Sequence, residues 1–230
     1  MVLNLLLDWI QGLIPFKVML LELILSLTAL LLVFPVHETA HGLMALAFGD
    51  KTAKHQKRLT LNPLAHIDLR GFLFLLILGF GWAKPVQFNP VYFKNRRLGI
   101  AMTAAAGPLA NLLFCFLSLF VYGVFNYYAI IYNNAFLLAL ATLFSYIVIY
   151  NAAFAVFNLI PFPPLDGSKI LGEMLPLRTR LKYYQLEQYS FFFFIALIIL
   201  LNRVNVLGYL SNAIINGFLP IVNAVLGGIL

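Results

Sequence analysis

Residues 17–48, KVMLLELILSLTALLLVFPVHETAHGLMALAF, decide the architecture. After Lys17 the stretch holds only four ionisable side chains, Glu22, His37, Glu38 and His41. As a helix it would be about 48 Å long at 1.5 Å per residue, more than the ~30 Å apolar core of a bilayer requires. Three ionisable groups within five residues of such a span are costly in lipid and mark a functional site. The rest of the chain agrees with a bilayer setting. Of 230 residues, 63% are hydrophobic and 10% charged, whereas a soluble domain carries roughly 25% charged residues. The expectation is an all-α polytopic membrane protein.

Further spans are read at residues 98–125 and 135–159, the latter stopped by Ile160-Pro161-Phe162-Pro163-Pro164. A fourth runs from near Tyr189 through Leu201. The tail, 204–230, contains Gly208, Gly217 and Pro220 and reads either as a fifth span or as a bent interfacial segment. Between the first two spans lies Gly71–Trp82, twelve residues and too short to cross as a helix. Gly71, Gly79 and Gly81 also weaken helical character, so this stretch reads as a membrane-dipping β-hairpin or re-entrant loop. Asn4, Asp8 and Gln11 recur at helical spacing among leucines, and Asp8 interrupts any signal-peptide core. The chain therefore divides into an interfacial amphipathic helix (1–16), a membrane-embedded core (17–170) and C-terminal membrane segments (171–230).

The net charge is +7, and thirteen of the fifteen Lys and Arg residues fall in two stretches, 51–97 and 169–182. Segregated Lys and Arg mark cytoplasmic loops facing an anionic inner leaflet. The uncharged residues 126–134 then form an outside loop, and His41 and Asp166 lie near the cytoplasmic ends of their helices. Hydropathy makes nucleic acid a remote partner. Cys115 is the only cysteine, so no internal disulfide forms, and it reads as buried packing.

His37-Glu38-Thr39-Ala40-His41 is an H-E-x-x-H pattern. Positions i and i+4 of a helix share one face, so two imidazoles can reach one zinc at ~2.0–2.1 Å. Glu38, turned about 100° away, can meet a water rather than the metal. Catalytic zinc usually takes a third protein ligand. Candidates are Glu22, His55, His66, Asp68 and Asp166. Read from the residues alone, Asp166 in Pro164-Leu165-Asp166-Gly167 is equally a ligand or a helix cap.

Five motifs occur in order: His37-Glu38-x-x-His41; Asn62-Pro63 with His66-Ile67-Asp68; Gly81-Trp82-Ala83-Lys84-Pro85-Val86; Ala106-Gly107-Pro108-Leu109-Ala110-Asn111; and Asn158-Leu159-Ile160-Pro161 with Leu165-Asp166-Gly167. In these the chain resembles the site-2 protease family of intramembrane zinc metalloproteases, over about residues 37–167. The resemblance implies a three-helix catalytic core and one zinc per chain, sunk into the membrane near the cytosolic side. It makes Asp166 the third ligand. Many members carry a PDZ or CBS domain, and this chain reads as a minimal form with neither.

The implied activity is zinc-dependent hydrolysis of peptide bonds within or near a transmembrane segment of a membrane-protein substrate. Glu38 would serve as general base and then general acid. Asn111, His66 and Asn158 are candidates for transition-state or substrate contacts. Asn111 reads equally well as interhelical glue, His66 as a loop histidine and Asn158 as a backbone cap beside Pro161. The hairpin with Gly71, Gly79, Gly81 and Trp82 is a candidate edge for an unwound substrate. A metal transporter would have no need of the Glu38 carboxylate, and a helix-binding scaffold would be indifferent to chelation. A prokaryotic plasma membrane is the expected location.

Overall fold

The computed structural model describes residues 2–71, 74, 83–190, 196 and 205–228. The helices, in chain order, are α1 (Val2–Ile10), α2 (Phe16–Ala47), α3 (Thr52–His55), α4 (Arg96–Ile131), α5 (Ala135–Asn158), α6 (Asp166–Met174), α7 (Leu177–Gln185) and α8 (Val206–Leu226). Short 3-10 turns lie at Pro63–Ala65, Pro90–Tyr92 and Leu186–Tyr189. No strand occurs among the described residues. The protein is an all-α polytopic membrane protein, with α2, α4, α5 and α8 each long and apolar enough to cross a bilayer.

The ends of these helices follow from local chemistry. Pro15, fixed in an extended conformation, precedes α2. At the far end Gly49 turns with φ +106°, and Asp50 N–H closes on Ala45 O at 3.0 Å while Gly49 N–H reaches Leu46 O at 3.0 Å. That is the Schellman pattern, which satisfies carbonyls the last turn would otherwise leave open. Asn95 caps α4 through Leu98 N–H at 3.1 Å. Asn134 caps α5 through Phe136 and Leu137 N–H at 2.9 and 3.1 Å.

α4 continues to Ile131, so residues 126–131 are helical and only Tyr132–Asn134 link it to α5. The expected nine-residue outside loop is thus mostly helix. Its Asn and Tyr residues can project past the apolar core while the backbone stays hydrogen-bonded, and Tyr128 stacks on Tyr132 one turn on, at 5.8 Å and 7°.

α2, α4 and α5 pack on one another as a three-helix core. Ala29, Val33 and Ile147 join α2 to α5. Cys115, Leu119, Val148, Ala152 and Val222 bring α8 onto α4 and α5. Leu109, Leu113 and Leu117 form an exposed stripe on α4, one turn apart, as a lipid-facing side requires. The tail left open by sequence is one helix, α8, with Pro220 inside it. The read fourth span at 189–201 and the hairpin residues Gly79, Gly81 and Trp82 lie mainly or wholly outside the described residues. Ile67 and Ala83 pair antiparallel, and Lys84 N–H donates to His66 O at 2.8 Å. The chain therefore enters and leaves that stretch side by side.

Candidate active site

α2 sets His37 above His41 on one face, their rings edge to face at 4.5 Å. Their Nε2 atoms stand 2.9 Å apart, and each is 3.2 Å from Asp166 Oδ2. All three side chains are buried. Among the described residues this is the group of metal-binding character. A tetrahedral zinc with ligands at ~2.0–2.1 Å has edges of about 3.3–3.4 Å. The observed triangle lies within a few tenths of an ångström of that, so the donor set fits zinc.

His41 Nδ1 is 2.7 Å from Thr103 O on α4. A carbonyl only accepts, so Nδ1 carries a proton, and in the neutral ring Nε2 is the atom left to ligate a metal. Gly107 makes room for both rings. A Cβ there would stand 2.5 Å from His41 Nε2 and 2.6 Å from His37 Cε1. At Gly107, therefore, the imidazole pair of α2 comes directly against α4.

Asp166 comes from the first turn of α6, across the core from α2. Leu165, not Asp166, occupies the cap position, without a side-chain cap bond. The Asp166 carboxylate instead spans from the imidazoles to Lys169 Nζ, 3.5 Å from Oδ1. Burial alone would raise its pKa. Hydrogen bonds from His37 and His41, with the charges of His41 and Lys169, hold it well below the usual carboxylate range. Behind it, Gly167 lies so close to the Leu159 and Ile160 carbonyls that a Cβ would overlap them. Tyr183 O–H ties Pro161 O at 2.7 Å, and Glu173, held by Arg180, accepts from Tyr184 O–H at 3.1 Å. These contacts brace the turn that presents Asp166.

Glu38 lies on the wall of the same cavity with His37, His41 and Asp166. Its Oε2 accepts from Val86 N–H at 2.7 Å. Phe34, Phe88, Phe154 and Phe157 make most of the wall apolar, and Lys169 supplies a cation. Asn158 also lines it, donating Nδ2–H to Phe154 O at 3.1 Å. His66 and Asn111 are fully buried away from this lining. His66 Nε2 donates to Thr60 O at 2.8 Å, and neither amide atom of Asn111 has a partner among the described residues. Gly71, at the start of the stretch read as a hairpin, is helical instead, and its N–H donates to Asp68 Oδ1 at 2.9 Å, the bond of a helix cap. Sequence reasoning missed Lys169, one turn beyond Asp166, which the i, i+3 spacing would have revealed. It also missed the Val86 amide and the Thr103 carbonyl, backbone groups that leave no side-chain signal.

A multi-pass helical membrane protein that gathers two histidines and an aspartate beside the glutamate of an H-E-x-x-H helix is a membrane zinc metalloprotease. The chain belongs to peptidase family M50, whose model matches residues 121–201, the part of the chain that carries Asp166. It is 40% identical over 170 residues to "Putative zinc metalloprotease YwhC" of Bacillus subtilis, covering 74% of this chain and 78% of that protein. It is 28% identical over 189 residues to "Putative zinc metalloprotease Rip2" of Mycolicibacterium smegmatis, covering 78% of this chain and 69% of that one. No solved structure matches the chain.

Proposed function

We propose that this protease is an intramembrane endopeptidase that cuts membrane-protein substrates within or near a transmembrane segment, with His37, His41 and Asp166 as zinc ligands and Glu38 as general base and acid. The observation that carries this reading is the placement of the three donors and Glu38 on one apolar cavity wall, built from helices long enough to cross a bilayer. When bound there, zinc supplies Lewis-acid polarisation of a carbonyl and lowers the pKa of water toward ~7.

The residues do the rest. Phe34, Phe154 and Phe157 accept apolar side chains and keep bulk water out. Glu38 takes the proton of the attacking water and delivers it to the leaving amine nitrogen. Asn158, the one of the three proposed polar contacts that lies on the cavity wall, steadies the oxyanion. A substrate helix hides its carbonyls in hydrogen bonds and must unwind first. The Gly71–Trp82 stretch receives the unwound segment by strand addition. Shortening that stretch should lower cleavage while zinc stays bound, and intact activity would argue against it. The clustering of Lys and Arg in residues 51–97 and 169–182 supports a site facing the cytoplasm, and the bacterial relatives support a prokaryotic plasma membrane.

The test is cleavage of a synthetic single-span substrate by the protein reconstituted in liposomes, with product masses locating the cut. Cuts in or beside the span that stop with a zinc chelator support the reading. Cuts confined to distant soluble loops, or cleavage that survives chelation, overturn it.

A further inference from the structure

Arg58 is a buried cation that the reading above does not use. It is 9% exposed, and no carboxylate among the described residues lies within ion-pair distance. Its Nη2 donates instead to two backbone carbonyls, Lys84 O at 3.0 Å and Pro85 O at 3.3 Å. The next residue along, Val86, donates its N–H to Glu38 Oε2 at 2.7 Å. The same segment is tied from the other side, where Lys84 N–H reaches His66 O at 2.8 Å. His66 Nε2 and Thr39 Oγ1 both donate to Thr60 O at 2.8 Å. Thr39 is the neighbour of Glu38 on α2. The hydrogen bonds thus form a closed circuit that begins and ends at the H-E-x-x-H turn.

Packing follows the same path. A Cβ on Gly42, one turn beyond Glu38, would stand 2.5 Å from Leu59 Cδ2 and 3.3 Å from Val86 Cγ1. Both loops therefore lie directly against α2. Burying a guanidinium without a carboxylate is costly, and a neutral side chain could hold a loop at less cost. What the guanidinium adds is one planar nitrogen, Nη2, whose two N–H groups hold both carbonyls at once.

We propose that Arg58 is a positioning residue for the hydrolysis. By clamping the Lys84 and Pro85 carbonyls it fixes the Val86 amide, which holds one oxygen of Glu38 and leaves the other to exchange protons. The inference rests on Glu38 acting as the base. A general base misplaced by about 1 Å can lose on the order of a hundredfold in rate.

The experiment compares wild type, Arg58→Met, Arg58→Lys and Glu38→Gln on one single-span substrate. It measures kcat, KM, zinc per chain and thermal midpoint. Arg58→Met should lower kcat about tenfold to a hundredfold, with KM within about twofold of wild type and zinc content unchanged. Arg58→Lys, which keeps the charge and a donor, should recover part of that loss and covers the case in which the methionine variant does not fold. A kcat within about twofold of wild type in the folded variants, a loss that appears in KM, or a loss that tracks missing zinc would overturn the proposal. Activity retained by Glu38→Gln would instead remove the underlying reading of Glu38, whatever the Arg58 variants do.

Discussion

Gly107→Ala is the substitution whose consequence can be worked furthest. The added Cβ would lie 2.5 Å from His41 Nε2 and 2.6 Å from both His37 Cε1 and His41 Cε1. Ordinary contact is near 3.5 Å, so the imidazoles and α4 must part by roughly 1 Å. His41 cannot simply swing aside, because its Nδ1 is held by Thr103 O at 2.7 Å, one turn away on the same helix α4. Nor can α4 retreat freely, since its core face packs against α5. The strain falls on the donor triangle itself. Disturbing the support of a metal site by this much costs about 10–100-fold in affinity, or roughly 1.4–2.7 kcal/mol. The assay is zinc occupancy across a series of buffered free-zinc concentrations, alongside substrate cleavage. Gly217→Ala is the control, because nothing lies within 4 Å of its added Cβ. It should leave zinc binding alone and stabilise α8 slightly. Wild-type zinc affinity in Gly107→Ala would refute the argument that these rings are held against α4.

Other outcomes follow from the same geometry. Stripping zinc should lower the thermal midpoint as well as stop cleavage, since a ligand at a thousand times its Kd contributes about 4 kcal/mol; an unchanged midpoint in chelator would speak against a metal held by the fold. Asn134→Ala removes two cap bonds far from the cavity and should cost about 1 kcal/mol by denaturant titration, with cleavage of the folded fraction unchanged. Tyr184→Phe should cost about 1–2 kcal/mol by loss of the bond to Glu173. Burial and the Glu173 charge push the Tyr184 hydroxyl up to about 12. Its stabilising contribution should therefore be constant below about pH 10 and fade as pH rises toward 12, and a wild-type-minus-variant difference that grows in that range would contradict the assignment.

Hydropathy and proline placement are enough to read α2 and α5 from sequence, because a bilayer demands uninterrupted apolar helices and Pro161, Pro163 and Pro164 cannot continue one. The end of α4 was less legible, since polar Asn126 and the tyrosines that follow it suit a helix leaving the membrane as well as a loop. His37, Glu38 and His41 are legible because their spacing is a property of one helix. Asp166 is not legible that way. It meets them from 125 residues further along the chain, and residue chemistry left it balanced between ligand and cap until the family resemblance weighed in. His66 and Asn111 show the converse limit. Their residue types suit an active site, but the fold turns His66 toward Thr60 and buries Asn111 between helices. Arg58 reads in sequence as one more loop cation, because its acceptors are backbone carbonyls brought near only by the paired strand-like segments at Ile67 and Ala83.

The most direct test of the central claim counts zinc and cleavage together in wild type, Glu38→Gln and Asp166→Asn, each confirmed folded. Wild type should hold one zinc per chain and cleave, Glu38→Gln should hold one zinc without cleaving, and Asp166→Asn should do neither. Cleavage by zinc-loaded Glu38→Gln, or full zinc in Asp166→Asn, would contradict that claim.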